Sequence, residues 1–171
     1  KLLDSAKQCG PTLITSQGDA LVTDLRDVGL MIKIADCQAV FLVDPAMRVI
    51  ANVHCGWRGS VNGLLLKVVR LLQARYGCRP QNLLAAVSPS LGPCCAEFMN
   101  YRRELPPNFW QFQKEPGYVD FWAITRWQLE RAGLRHENIE AAERCTVCES
   151  DNFFSYRAQG TTGRMAAVLA L

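Results

Sequence analysis

The chain has 171 residues, 49% of them hydrophobic and 20% charged, with a formal net charge of +3. That is enough apolar material for one domain with a sizeable core, and the mild positive balance, without a Lys/Arg run, leaves no electrostatic footprint for a nucleic-acid partner. No apolar run reaches the roughly 18 residues of a membrane span, and the opening KLLDSAKQCG lacks the apolar region and cleavage site of a secretory signal. The expectation is a single cytoplasmic domain over residues 1–171, with no membrane partner.

Leu30–Ile34, Ala39–Val43 and Val49–Val53 are short apolar runs rich in β-branched residues, and each predicts a strand. Between the last two lies Asp44-Pro45-Ala46-Met47. Proline presets φ there and aspartate can bond the local backbone, so the spacing predicts a type I turn and an antiparallel hairpin. With Asp44 and Met47 as its paired ends, Cys37 stands opposite His54, with Cβ atoms about 4.5–5.5 Å apart. A register shift of one residue would send one of the two to the other face.

Ser60 reads as the N-cap of an amphipathic helix carrying Val61, Leu64, Leu65, Val68, Leu71 and Leu72 and ending at Gly77, with Pro80 beyond. Leu83–Val87 predicts a strand entering the turn-rich loop SPSLGPCC. A second helix is expected over about Asp120–Ala132, bearing Phe121, Ile124, Trp127 and Leu129 and stopping at Gly133. Ile139–Cys145 is a further strand candidate, and Phe153–Tyr156 and Met165–Leu169 are apolar pieces around a Gly-containing loop. Strands and helices in irregular order predict a layered α/β (α+β) domain.

The eight cysteines are Cys9, Cys37, Cys55, Cys78, Cys94, Cys95, Cys145 and Cys148. A chain with this much core needs no disulfide framework, and most are expected to be reduced, buried and hydrophobic in character. The Cys37–His54 pair stands out. Zinc favours thiolate and imidazole, and a catalytic zinc has three protein ligands with water in the fourth place. The same pair without metal could be a nucleophile and its base. Arg58 can present a fork of donors to a phosphate or carboxylate; the alternatives are a local acid or stacking on Trp57. Asp36 is expected to cap its own turn, with orientation of His54 or of a substrate amine as the other role. His136, after a helix end, is expected to be solvated. Cys145 and Cys148 form a single CxxC and are expected to be resting thiols. Cys94 and Cys95 are adjacent, so on an extended segment they point to opposite faces, and a joint ligand role would need an unusual loop geometry.

GDALVT (Gly18–Thr23), ADC (Ala35–Cys37), HCGWRG (His54–Gly59), SPSLGPCC (Ser88–Cys95), CTVC (Cys145–Cys148), FFSYR (Phe153–Arg157) and the Gly163-Arg164 pair, in that order, resemble the YfiH-like family. Its members are also called multicopper polyphenol oxidase or laccase domain proteins, peptidoglycan editing factors and YfiH-type purine nucleoside phosphorylases. The resemblance implies a layered α/β/β/α sandwich with mixed sheets. It also implies a metal site on Cys37 and His54, holding zinc or, alternatively, copper. A third ligand would be a histidine upstream of GDALVT; none precedes Gly18 here, so it is expected before Lys1, in an N-terminal segment of the family domain that this chain lacks. Departures from the family pattern are Gly18 for alanine, Ile34 for threonine, Cys55 for alanine and Ala96 for an aromatic residue. Cys55 adds a soft donor beside the site, although on a regular strand it points away.

The resemblance further implies a monomeric or homodimeric enzyme that phosphorolyses adenosine, inosine and S-methyl-5'-thioadenosine with phosphate as co-substrate and deaminates adenosine as a side activity. Cys37, His54 and Arg58 are its expected catalytic residues. A metal that brings water towards a neutral pKa would suit attack at C6 of the purine, and an arginine would suit phosphate. One alternative is a Cys37–His54 amidase acting on peptidoglycan precursors such as UDP-MurNAc-L-Ser. Another is a non-catalytic interaction domain stabilised by metal. A copper oxidase is disfavoured, because multicopper centres are rich in histidine and this chain has two.

Overall fold

The hairpin around Asp44 lies at the centre of the molecule. The computed structural model describes residues 18–171, together with the backbone of 7–9 and 12–14; the side chain of Cys9 lies outside the described residues. Strands β1 (Lys7–Cys9) and β2 (Thr12–Ile14) pair with each other. Then come β3 (Ala20–Thr23), β4 (Leu30–Ile34), β5 (Gln38–Asp44) and β6 (Val49–Cys55). Helices α1 (Trp57–Val61) and α2 (Leu64–Tyr76) lead to β7 (Leu84–Val87). A loop region follows with α3 (Tyr101–Glu104) and the small hairpin β8 (Gln113–Glu115) and β9 (Tyr118–Val119). The chain continues through α4 (Phe121–Arg131), β10 (Ile139–Ala141), α5 (Tyr156–Gln159) and β11 (Met165–Leu169).

The main sheet has the order β10-β7-β5-β6-β3; the β10–β7 pair is parallel and the rest are antiparallel. Its register corrects the expected turn. Asp44 pairs with Val49, not Met47, so the connection is the four-residue loop Pro45–Arg48. The Asp44 Oδ1 does accept from the backbone of Ala46 and Met47, both at 3.0 Å, but Arg48 adds a left-handed residue at φ 56°. Ala39 therefore faces His54, and Cys37 lies just beyond the ladder, one step along the diagonal. An offset of two residues preserves side-chain parity, so Cys37 and His54 stay on one face.

On the opposite face, Val40, Leu42, Ala51, Val53 and Cys55 pack against Leu65, Val68, Val69 and Leu72 of α2 and Leu129 of α4. The helix expected from Ser60 is broken in two at Gly63, whose φ of 64° no other residue adopts as cheaply. Ser60 is not a cap: it is buried inside α1, and its carbonyl accepts from Gln128 Nε2 at 2.7 Å. Helix α2 ends at Gly77 as expected. Helix α4 begins at Asp120, whose Oδ1 accepts from the Ala123 amide at 2.9 Å.

Strands β4 and β11 form a separate antiparallel pair on the Cys37–His54 side of the main sheet, where Ile34, Ala39 and Ala167 are buried together. Asn52, fully buried in β6, fastens the two sheets: its Nδ2 donates to the carbonyls of Leu30 and Ala167, both at 2.9 Å. The described residues thus supply three layers of the expected sandwich, helices, main sheet and two-stranded sheet. A second core of Phe98, Leu105, Phe109, Val119, Phe121 and Ile124 fills the region beside α4. One expected strand is shorter: the Ile139 strand stops at Ala141, before Glu143 turns to φ 49°. The apolar piece Phe153–Tyr156 leads into α5, where Ser155 Oγ accepts from the Ala158 amide at 3.2 Å. Among the described residues no helix is long and apolar enough to cross a membrane.

Candidate active site

Two chain reversals build the site: Ala35–Cys37 joins β4 to β5, and Gly56 joins β6 to α1. Asp36 takes φ 80°, unusual for a residue with a Cβ, and its carboxylate holds it there. Oδ1 accepts from Thr146 Oγ1 and Oδ2 from the Arg157 amide, both at 2.6 Å, while the Asp36 carbonyl accepts from the Leu91 amide at 2.9 Å. Asp36 therefore clasps three other segments, rather than capping its own turn or orienting His54.

Cys37 Sγ lies where a Cβ on Gly56 would come within 3.0 Å of it, so glycine is what lets the sulfur press against the β6–α1 turn. His54 is half-buried; its amide donates to the Asp19 carbonyl at 2.7 Å, and its Nδ1 stands 3.4 Å from Asp19 Oδ1. That carboxylate leaves Nε2 as the ring nitrogen available to a ligand. Burial first, then the charge of Asp36, push the Cys37 thiol up, against a smaller opposing pull from Arg164. Cys55 points away into the helix-side core, with its sulfur 3.4 Å from Ser60 Oγ.

Cys37, His54 and Arg58 line one cavity of about 960 Å³, which matches the size of small-molecule sites. Arg58 stacks with its guanidinium 4.3 Å from the centre of the Trp57 ring, and among the described residues no carboxylate lies within ion-pair distance of it. Stacking and a free donor edge thus coexist, where the sequence had posed them as alternatives. Lys33, Arg157 and Arg164 also line the cavity, with Trp57, Phe98 and Tyr156 as aromatic surface and Asp19, Asp36, Glu97 and Glu104 as acids. Sequence reasoning gave no role to Asp19, Arg157 or Arg164, although each lies within or next to a matched motif. His136 does not line the cavity; it is exposed, 2.7 Å from Glu130 Oε1.

The Cys37–His54 donors suit zinc in type, and Asp19 supplies the outer partner a zinc-bound imidazole ordinarily has. Among the described residues no further His, Cys, Asp or Glu completes a group of three around them.

A different group is complete. The ligand atoms of Cys94, Cys95, Cys145 and Cys148 all lie within 4.8 Å of one another. The unusual loop geometry that a joint role for Cys94 and Cys95 requires is present, and it brings them to the CxxC pair. The segment at Gly92 is coiled, not extended: the amides of Cys95 and Ala96 both bond the Gly92 carbonyl, at 3.0 and 2.9 Å, so adjacency does not send the sulfurs apart. Cys94 and Cys95 approach Cys148 at 3.5 and 3.6 Å. Burial pushes the Cys94 thiol up to about 11 and Cys95 higher still. Burial acts upward on Cys145 too, but the backbone N–H groups of Cys148 and Gly92 outweigh it and bring that thiol down to about 7.

The sequence profile described as multi-copper polyphenol oxidoreductase laccase matches residues 3–171. Purine nucleoside phosphorylase YlmD of Geobacillus stearothermophilus is 36% identical over 162 residues, which cover 88% of this chain and 59% of that protein. Purine nucleoside phosphorylase YfiH of Escherichia coli is 30% identical over 176 residues, covering 98% and 70%. The crystal structure of YlmD from Geobacillus stearothermophilus superposes with a TM-score of 0.81 at 36% identity, over 89% of this chain and 60% of that one. The chain therefore spans about 59% of the length of YlmD. With a profile match across nearly all its residues, the chain belongs to the multi-copper polyphenol oxidoreductase laccase family, alongside YlmD and YfiH.

Proposed function

We propose that the cavity binds a purine nucleoside and phosphate and exchanges one for the other at the ribose, with adenosine, inosine and S-methyl-5'-thioadenosine as substrates and deamination of adenosine as a side activity. The observation that carries this reading is the convergence of Cys37, His54 and Arg58 on a single cavity that also offers aromatic faces and further cations. The phosphorylase names of YlmD and YfiH support it.

In this reading Arg58, held over the Trp57 ring, presents its outer N–H groups to phosphate, while Arg157 and Arg164 add positive charge to the same cavity. Trp57, Phe98 and Tyr156 offer surfaces for the purine ring. A phosphate oxygen forms the new bond to C1' of the ribose as the C1'–N9 bond breaks. The purine leaves with that electron pair and takes up a proton, giving ribose 1-phosphate and the free base. Cys37 Sγ and His54 Nε2 would hold zinc, which supplies Lewis acidity when bound. Asp19 fixes the tautomer and aim of His54. The protein acts in the cytoplasm as a monomer or homodimer.

The test offers adenosine, inosine and the methylthio nucleoside with phosphate and follows free base and ribose 1-phosphate by chromatography. Turnover is expected, lost in Cys37→Ala and His54→Ala, while Arg58→Ala raises the KM for phosphate about tenfold or more, in keeping with the loss of one charge-assisted contact. Turnover of UDP-MurNAc-L-Ser instead would make Cys37 a nucleophile. Its half-buried thiol, pushed up by burial and then by the charge of Asp36, and the engagement of His54 Nδ1 with Asp19 do not favour that outcome. Turnover of neither substrate, with metal retained by the folded chain, would leave an interaction domain.

A further inference from the structure

We propose that Cys94, Cys95, Cys145 and Cys148 form a tetrathiolate site for a single zinc ion, apart from the Cys37–His54 cavity, and that this ion holds the loop wall of the cavity in place.

Dimensions come first. Four sulfurs about 2.3 Å from one zinc stand at the corners of a tetrahedron with edges of ~3.8 Å. The sulfurs of Cys94 and Cys95 lie 3.5 and 3.6 Å from that of Cys148, and all four fall within 4.8 Å of each other. The set therefore needs only small adjustments to enclose an ion. Its composition settles the role, since four protein thiolates leave no open position for water or substrate, as in closed structural sites. None of the four cysteines lines the cavity.

The surroundings fit a thiolate centre. The Gly92 amide donates to Cys145 Sγ at 3.3 Å, so a backbone N–H from the Cys94–Cys95 segment already holds the first cysteine of the CTVC turn. Outer donors of this kind orient metal ligands and delocalise their charge. Gly92 is what allows the approach: a Cβ there would sit 2.9 Å from the Cys145 Cβ and 2.8 Å from the Trp122 ring. Binding replaces four S–H bonds by four Zn–S bonds, releases the protons to solvent and leaves a net charge of two minus on the centre.

The two halves of the site lie on separate segments that already run side by side, with Ser90 bonded to the Arg144 carbonyl and to the Thr146 amide. The bridge between Ser90 and Cys145 aligns them, and Thr146, between the paired ligands, donates to Asp36. Arg157 grips Asp36 through its amide and the carbonyls of Cys95 and Glu97 through its guanidinium, at 3.3 and 3.1 Å. An ion joining residues 94–95 to 145–148 thus fixes the Asp36 reversal that carries Cys37.

The inference does not depend on the reaction proposed above, and its test reads metal, not turnover. The full chain is purified anaerobically with zinc in the medium, and bound zinc is measured by mass spectrometry and by release with a thiol-directed mercurial. In a Cys37→Ala/His54→Ala variant, one zinc per chain should remain, and exchange with cobalt should give the visible bands and sulfur-to-metal charge transfer of a tetrahedral tetrathiolate. Cys94→Ser/Cys148→Ser should lose that equivalent. Should the serine variant not fold, Cys148→His should keep the ion but shift the cobalt spectrum to three sulfurs and one nitrogen. The proposal is overturned if the cavity variant binds neither metal, if Cys148→His leaves the spectrum unchanged, or if peptide mapping finds Cys148 in a disulfide with Cys94 or Cys95.

Discussion

Replacing Asn52 with alanine tests the fastening between the two sheets. The residue is fully buried, and its Nδ2 makes two bonds of 2.9 Å to the Leu30 and Ala167 carbonyls, while its Oδ1 has no hydrogen-bond partner among the described residues. Alanine strips the donor from two enclosed carbonyls, at about 1–3 kcal/mol each, and removes one unsatisfied oxygen, which returns about 1 kcal/mol. The net expectation is a loss of about 1–5 kcal/mol. For a domain of this size that lowers the melting temperature by about 2–20 °C. Asn52→Asp should be worse, because it aims a carboxylate at two carbonyl oxygens in a dry interface. The assay is thermal and urea unfolding followed by circular dichroism, with both variants beside the parent. An Asn52→Ala midpoint within about 2 °C of the parent, or an Asn52→Asp more stable than Asn52→Ala, would refute the assigned role of the two bonds.

Gly92→Ala should destabilise the chain by about 1–3 kcal/mol through overpacking, since the new methyl meets the Trp122 ring at 2.8 Å; urea unfolding checks it, and a neutral result would show that the ring yields freely. Asp19→Asn should weaken zinc retention by the Cys37–His54 pair about tenfold, at the lower end for an outer partner because the contact is long and exposed; competition with a chelator dye in a Cys94→Ser/Cys148→Ser background measures it. Cys78 should give stability a distinct alkaline limit. Burial first, then the Asp44 carboxylate, push its thiol up to about 11 from 9.0. Below pH 9 both states hold the proton and the contribution is complete. From pH 9 to 11 the unfolded chain releases it while the native chain does not, so stability falls across that window. Cys78→Ala should flatten the slope, and an unchanged slope would contradict the assignment.

The central strands and the second helix were legible because their signals are local. Val, Ile and Leu alternate or cluster between turn residues, and Asp120 and Gly133 bound the helix chemically as well as geometrically. The hairpin shows where such reading stops. Asp44 behaves as expected towards the backbone of Ala46 and Met47, yet Arg48 entering the left-handed region lengthens the loop, and nothing in its side chain announces that. Cys37 and His54 still share a face because the error was even-numbered. The break at Gly63 was overridden by an apolar period that continues on both sides of it. The four-cysteine group was hidden for a different reason. Its two pairs are some fifty residues apart in sequence, and the coil at Gly92 that brings Cys94 and Cys95 to Cys148 is stabilised by packing against Trp122 and Cys145, a tertiary circumstance.

The Asp36 clasp bears on how this protein can be recombined. One carboxylate joins the reversal before β5, the turn around Thr146 and the start of α5, so none of these pieces is a free module. A chimera that imports any one of them from a relative inherits a lock without its keys. Grafts should move all three together, or redesign the aspartate and both its donors as a set.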